Sequence, residues 1–160
     1  MKKFSFVALF AIVAFGAAFA VSPQTGTVAM TGTVAETFTL VVPAAYSHAM
    51  DDTANTVNTW AIGDVTVTSN VKAWTFGVSS AKSGYLVNSA DNTEKVAYTM
   101  SLGSLGTDQT LSSAWTSQAQ ARTAKTGNTY PLSIKFTAAA DSFWQAGTYS
   151  DTLTITITHN

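Results

Sequence analysis

Apolar and polar residues alternate with a period of two over most of the chain. From Val28 the apolar positions fall on Met30, Val34, Phe38, Leu40 and Val42, with threonines among the residues between. Trp74, Phe76 and Val78 repeat the pattern, as do Val96, Tyr98, Met100 and Leu102, then Leu132, Ile134 and Phe136. Tyr149, Leu153, Ile155 and Ile157 complete it. Successive side chains of a strand point to opposite faces, so this spacing predicts strands with one face buried and one in water. Turn-forming groups separate the runs, among them Asp51-Asp52, Ser69-Asn70, Lys82-Ser83-Gly84, Asp91-Asn92, Gly127-Asn128 and Ala146-Gly147. The fold class expected is all-β: an immunoglobulin-like antiparallel β-sandwich of seven to nine strands. Ser113 to Lys125 is rich in Ala and Gln but lacks helical spacing, so it reads as a loop with room for one helical turn. Residues 44–60 read as a second long connection.

The first residues stand apart from this pattern. Met1-Lys2-Lys3 is followed by an apolar run from Phe4 to Phe15 and by small residues ending Ala18-Phe19-Ala20. A charged start, an apolar segment and an A-x-A end predict a secretory signal peptide over 1–20. The run is shorter than the roughly 20 residues of a permanent membrane anchor. The expected organisation is a signal peptide (1–20), an N-terminal extension or first strand (21–35) and a sandwich domain (36–160). Export to the periplasm, the cell surface or the medium follows from that reading.

Composition then narrows the function. Beyond Ala20 the chain carries six basic and nine acidic residues, too few and too scattered for the cationic stripe that nucleic acid requires. There is no cysteine, which excludes disulfides, thiolate metal sites and a cysteine nucleophile. Solubility at such low charge rests on hydroxyls: 26 residues are threonine, which is β-branched and suits a pleated, half-wet surface.

Residues that titrate or attack are sparse. His48 and His159 are the two histidines, no serine occupies a Gly-x-Ser-x-Gly elbow, and no catalytic set assembles. Asp51-Asp52 and Asp91-Asn92-Thr93-Glu94 lack the alternating spacing of a calcium loop and read as turns. The chain is therefore expected not to be an enzyme and to carry no cofactor or metal. Trp74 alternates with Phe76 and reads as core; Trp60, Trp115 and Trp144 lie near loops, where exposed rings would suit stacking on a glycan.

The two ends carry the most specific signal. The C-terminal run Gly147-Thr148-Tyr149-Ser150-Asp151-Thr152-Leu153 and the alternating Thr and Ile after it resemble the closing strand of chaperone–usher pilins. The likeness is greatest to the archaic, spore coat protein U-like group. Such pilins place a glycine fourteen residues from the end, as Gly147 is here, and an aromatic next to last, where this chain has His159. The cysteine pair usual in that group is missing. The resemblance implies a fimbrial, surface-adhesive subunit joined to copies of itself or related subunits, served by a periplasmic chaperone and an outer-membrane usher. It implies that an N-terminal extension completes the sandwich of the next subunit by strand addition. Val28, Met30, Gly32 and Val34 fall on one face of that extension, and Gly147, Tyr149, Leu153, Ile155 and Ile157 belong to the strand it would join. The same first strand also suits pairing within its own subunit. A secreted carbohydrate-binding sandwich using Trp60, Trp115 and Trp144 is the alternative from a different class.

Overall fold

The computed structural model describes residues 24–159, and the expected signal peptide lies outside them. The chain divides into two units, residues 1–33 and 34–160. Of the first, residues 24–33 are exposed and strand-free. The alternation from Val28 to Val34 thus forms no strand, although its spacing predicts one.

The second unit is all-β and antiparallel, with no helix among the described residues. Its strands are β1 (Phe38–Val41), β2 (Val57–Ser69), β3 (Thr75–Ser80), β4 (Tyr85–Asn88), β5 (Lys95–Ala97) and β6 (Thr99–Leu102). They continue with β7 (Gly106–Thr110), β8 (Trp115–Thr116), β9 (Asn128–Thr137), β10 (Tyr149–Ser150) and β11 (Leu153–Thr158). One sheet has the order β1-β2-β9-β6-β7. Facing strands form two shorter sheets, β10-β4-β5 and β11-β3-β8. These two run on from one another: Leu153 pairs with Ser80 and Ser150 with Val87, while residues 81–84 bulge out between. Thr152 bridges the break, its carbonyl accepting the Ala81 N–H at 2.9 Å.

Inward residues of both layers meet in one core. Val65, Val67, Trp74, Phe76, Val78, Met100 and Leu102 are fully enclosed, and Leu132, Ile134 and Phe136 of β9 lie beside them. In these strands the alternating positions read from sequence are the buried ones, as expected of a β-sandwich. Trp74, Phe76 and Tyr130 pack edge to face at 5.1–6.5 Å, the arrangement that ring quadrupoles favour. Residues 113–125 hold no helix: β8 pairs with β3, and Gln120 bridges to Trp74. The connection expected over 44–60 ends sooner, because β2 begins at Val57.

Candidate functional site

The site grows from two sheet edges that are free among the described residues. β1 borders one layer, and β10 with β11 borders the other. At one end these edges meet: the Phe38 ring stands edge-on to His159 at 4.8 Å, and Glu36 Oε1 lies 2.9 Å from His159 Nε2. The edges then part, for a local reason. Pro43 has no N–H to offer a ladder, so pairing of β1 with β2 stops at Val41–Thr66. Beyond it Pro43 packs on Gly63, at the irregularity in β2 where register shifts between Ala61 and Gly63. A Cβ on Gly63 would lie 2.8 Å from the Pro43 ring, so the close approach requires glycine.

Between residues 42–46 and 149–155 the parted edges leave a groove of about 570 Å³. Core side chains form its floor: Trp60, Ile62, Leu86, Tyr98, Leu132 and Ile134. Its β11 wall has an alternating inner face that stays half-exposed. Ile155 and Ile157 are only partly covered, whereas their partners Val78 and Phe76 on β3 are fully buried. An apolar strand face without cover, beside an unpaired strand edge, is the arrangement that templates another strand.

Asp151 sits at the break between β10 and β11 and fixes that wall. Its carboxylate accepts hydrogen bonds from Ser80 Oγ and Tyr98 OH, both at 2.5 Å, and from the Lys82 N–H at 2.9 Å. Ser80 Oγ in turn accepts from the Gly84 N–H at 2.7 Å, so one carboxylate ties the bulge, the break and the groove floor together. Burial, and then donation to Asp151, push the Tyr98 phenol well above its ordinary pKa. Sequence reading quoted Asp151 within the closing run but gave it no role; the signal was an acid inside an otherwise Thr-and-aliphatic strand.

The other residues singled out from sequence fall as follows. Leu153 and Ile155 line the groove with Tyr149, and Ile157 lies beyond it toward the Phe38–His159 contact. Gly147 packs within its own subunit, where a Cβ would lie 2.6 Å from the buried Asn88 amide. Val28, Met30 and Val34 are 85%, 92% and 88% exposed, and Gly32 has open space around it. Trp60 is buried rather than an exposed platform, and Trp115 and Trp144 are half-buried. Trp60 and Trp144 both pack on Phe136, at 5.0 and 5.8 Å, while Trp115 lies elsewhere against Gly106. The acidic pairs act as turns: Asp51 accepts from the Thr53 N–H, and Asp91 from the N–H and hydroxyl of Thr93. No family model matches the chain, and no curated protein matches it.

Proposed function

We propose that the chain is an exported, fibre-forming subunit whose immunoglobulin-like sandwich lacks one strand and receives it from another copy. The observation that carries this reading is the groove, with core side chains for a floor and a free strand edge for a wall. Its occupant would be residues 28–34 of a neighbouring subunit. They offer an exposed alternating apolar set, and seven residues extend about 23 Å, the length of the seven-residue wall 149–155.

The groove also sets polarity. In each copy Ala35–Thr37 is pinned to its own body by Asn70, whose Nδ2 donates to the Ala35 carbonyl at 2.7 Å and whose Oδ1 accepts the Thr37 N–H at 2.9 Å. The donor's body must therefore sit close to where Val34 leaves the groove. The Phe38–His159 end is shut, so Val34 exits at the open Tyr149 end and Val28 leads toward Ile155. The donor then runs antiparallel to β11, with Val28 opposite Ile155, Met30 opposite Leu153 and Val34 opposite Tyr149. Gly32 falls opposite Asp151, where the polar break leaves no apolar pocket to fill.

The test is deletion of residues 21–35. The full protein should form a ladder of oligomers that resists SDS without boiling, and the deleted one should not. The deleted subunit should also aggregate unless supplied with a peptide of residues 24–35. A deleted protein that stays a stable monomer, from a parent that is itself monomeric, overturns the reading.

A further inference from the structure

We infer that the hollow at the open end of the sandwich, between residues 46–52 and 144–150, binds a neutral saccharide. It measures about 480 Å³, within the range of small-molecule sites, and is lined by Tyr46, His48, Asp52, Trp60, Trp144 and Gln145 among others. Two of these carry unsatisfied polar atoms. Among the described residues the Trp60 indole N–H finds no acceptor although the residue is only 8% exposed, and Asp52 Oδ1 finds no donor. The other Asp52 oxygen is engaged, accepting the Trp144 N–H at 2.9 Å, which holds the carboxylate in place.

Both atoms are enclosed, so a ligand meets this donor and this acceptor only as neighbouring side chains move aside for it. A cation would satisfy Asp52 and leave the indole unpaired, and an anion would be repelled by the carboxylate. A hydroxyl both donates and accepts. A ligand with several hydroxyls and apolar C–H faces also suits the exposed rings of Tyr46 and His48, whose centroids lie 6.1 Å apart. Tyr46 and His48 are exposed and lie on the strand-free residues 42–56, so they are the members able to yield as the ligand enters.

The site extends beyond one sugar unit. A shallow depression lined by His48, Ala49, Met50 and Asp52 shares those residues with the hollow and is bordered by Phe143. Phe143 is 90% exposed, a ring that packing within the chain does not explain. It supplies a stacking face for a second unit. All the residues belong to one chain, and the hollow shares Tyr46, Trp60, Tyr149 and Ser150 with the groove.

The experiment is tryptophan-fluorescence and calorimetric titration of the full chain with neutral mono- to tetrasaccharides of glucose, galactose, mannose and N-acetylglucosamine, and with choline chloride. Saturable binding of at least one sugar series is expected. Asp52→Asn should weaken it ten-fold or more with the circular-dichroism spectrum unchanged. Phe143→Ala, at a fully exposed position, should weaken oligosaccharides ten-fold and leave monosaccharides unaffected. Flat titrations at millimolar sugar, choline binding in place of sugar, or sugar binding equal to the parent in both variants would each overturn the assignment.

Discussion

The Asp151 carboxylate gathers two hydroxyls and the Lys82 N–H, from the bulge between β3 and β4, at the place where the C-terminal strand breaks. Hydrogen bonds to a charged group contribute about 1.5–3 kcal/mol each, so Tyr98→Phe should lower the stability of the subunit by about that amount in urea denaturation. The same variant has a pH signature. The folded state holds the Tyr98 proton longer than the unfolded state, so this contribution is whole below about pH 10 and is lost as pH rises through the raised pKa. Tyr98→Phe should flatten the alkaline fall of the denaturation midpoint. An equally steep fall would mean that other groups govern it. Asp91 has the opposite sign: donation by the Thr93 hydroxyl and N–H holds its carboxyl below the ordinary carboxylate value. Its stabilising effect is present above the unfolded pKa and fades as pH falls through the folded one. Thr93→Val should move the Asp91 titration upward in NMR, and an unmoved midpoint would contradict the hydroxyl's part in holding it down.

At the scale of elements, alternation was readable wherever both layers cover a strand. Trp74-Phe76-Val78, Met100-Leu102 and Leu132-Ile134-Phe136 all became core. It misled where cover is missing, because spacing reports which face a side chain takes and not whether anything lies over it. Thus Leu153-Ile155-Ile157 has the pattern of an inner strand and sits half-exposed, and Val28-Met30-Val34 has the same pattern with no strand at all. The groove was hidden for a further reason. Its walls are residues 42–46 and 149–155, about a hundred positions apart, and it opens because Pro43 leaves the ladder at the Gly63 irregularity. The tryptophan hollow joins equally distant loops, so loop position alone could not tell Trp60 and Trp144 from Trp115. Gly147 shows how a motif residue acquires its cause only in the fold. Gly147→Ala drives a methyl into Asn88 and should cost about 1–3 kcal/mol in denaturation, the usual range for overpacking. Properly folded Gly147→Ala should still form oligomers; failure to do so at full stability would make the glycine a contact between subunits instead.

For the whole molecule, the absence of cysteine leaves the core as the means of stability, and that core is uncovered along one side. An apolar free edge on a low-charge, threonine-covered sandwich is the kind of surface that pairs with another strand. In residues 28–34, the segment proposed to fill it, Val28, Met30 and Val34 are exposed. The lack of native cysteine also allows the fit to be read directly, because any introduced pair is unique. One preparation carries Met30→Cys and a second, differently tagged, carries Leu153→Cys; the two are mixed during assembly and oxidised. Opposed antiparallel positions bring Cβ atoms to about 4.5–5.5 Å, within disulfide reach. A disulfide joining the two tags, absent when Met30→Cys is paired with Ser79→Cys, is the predicted result. No cross-link between tags, or a bond formed only when both cysteines share one chain, would contradict strand donation between copies.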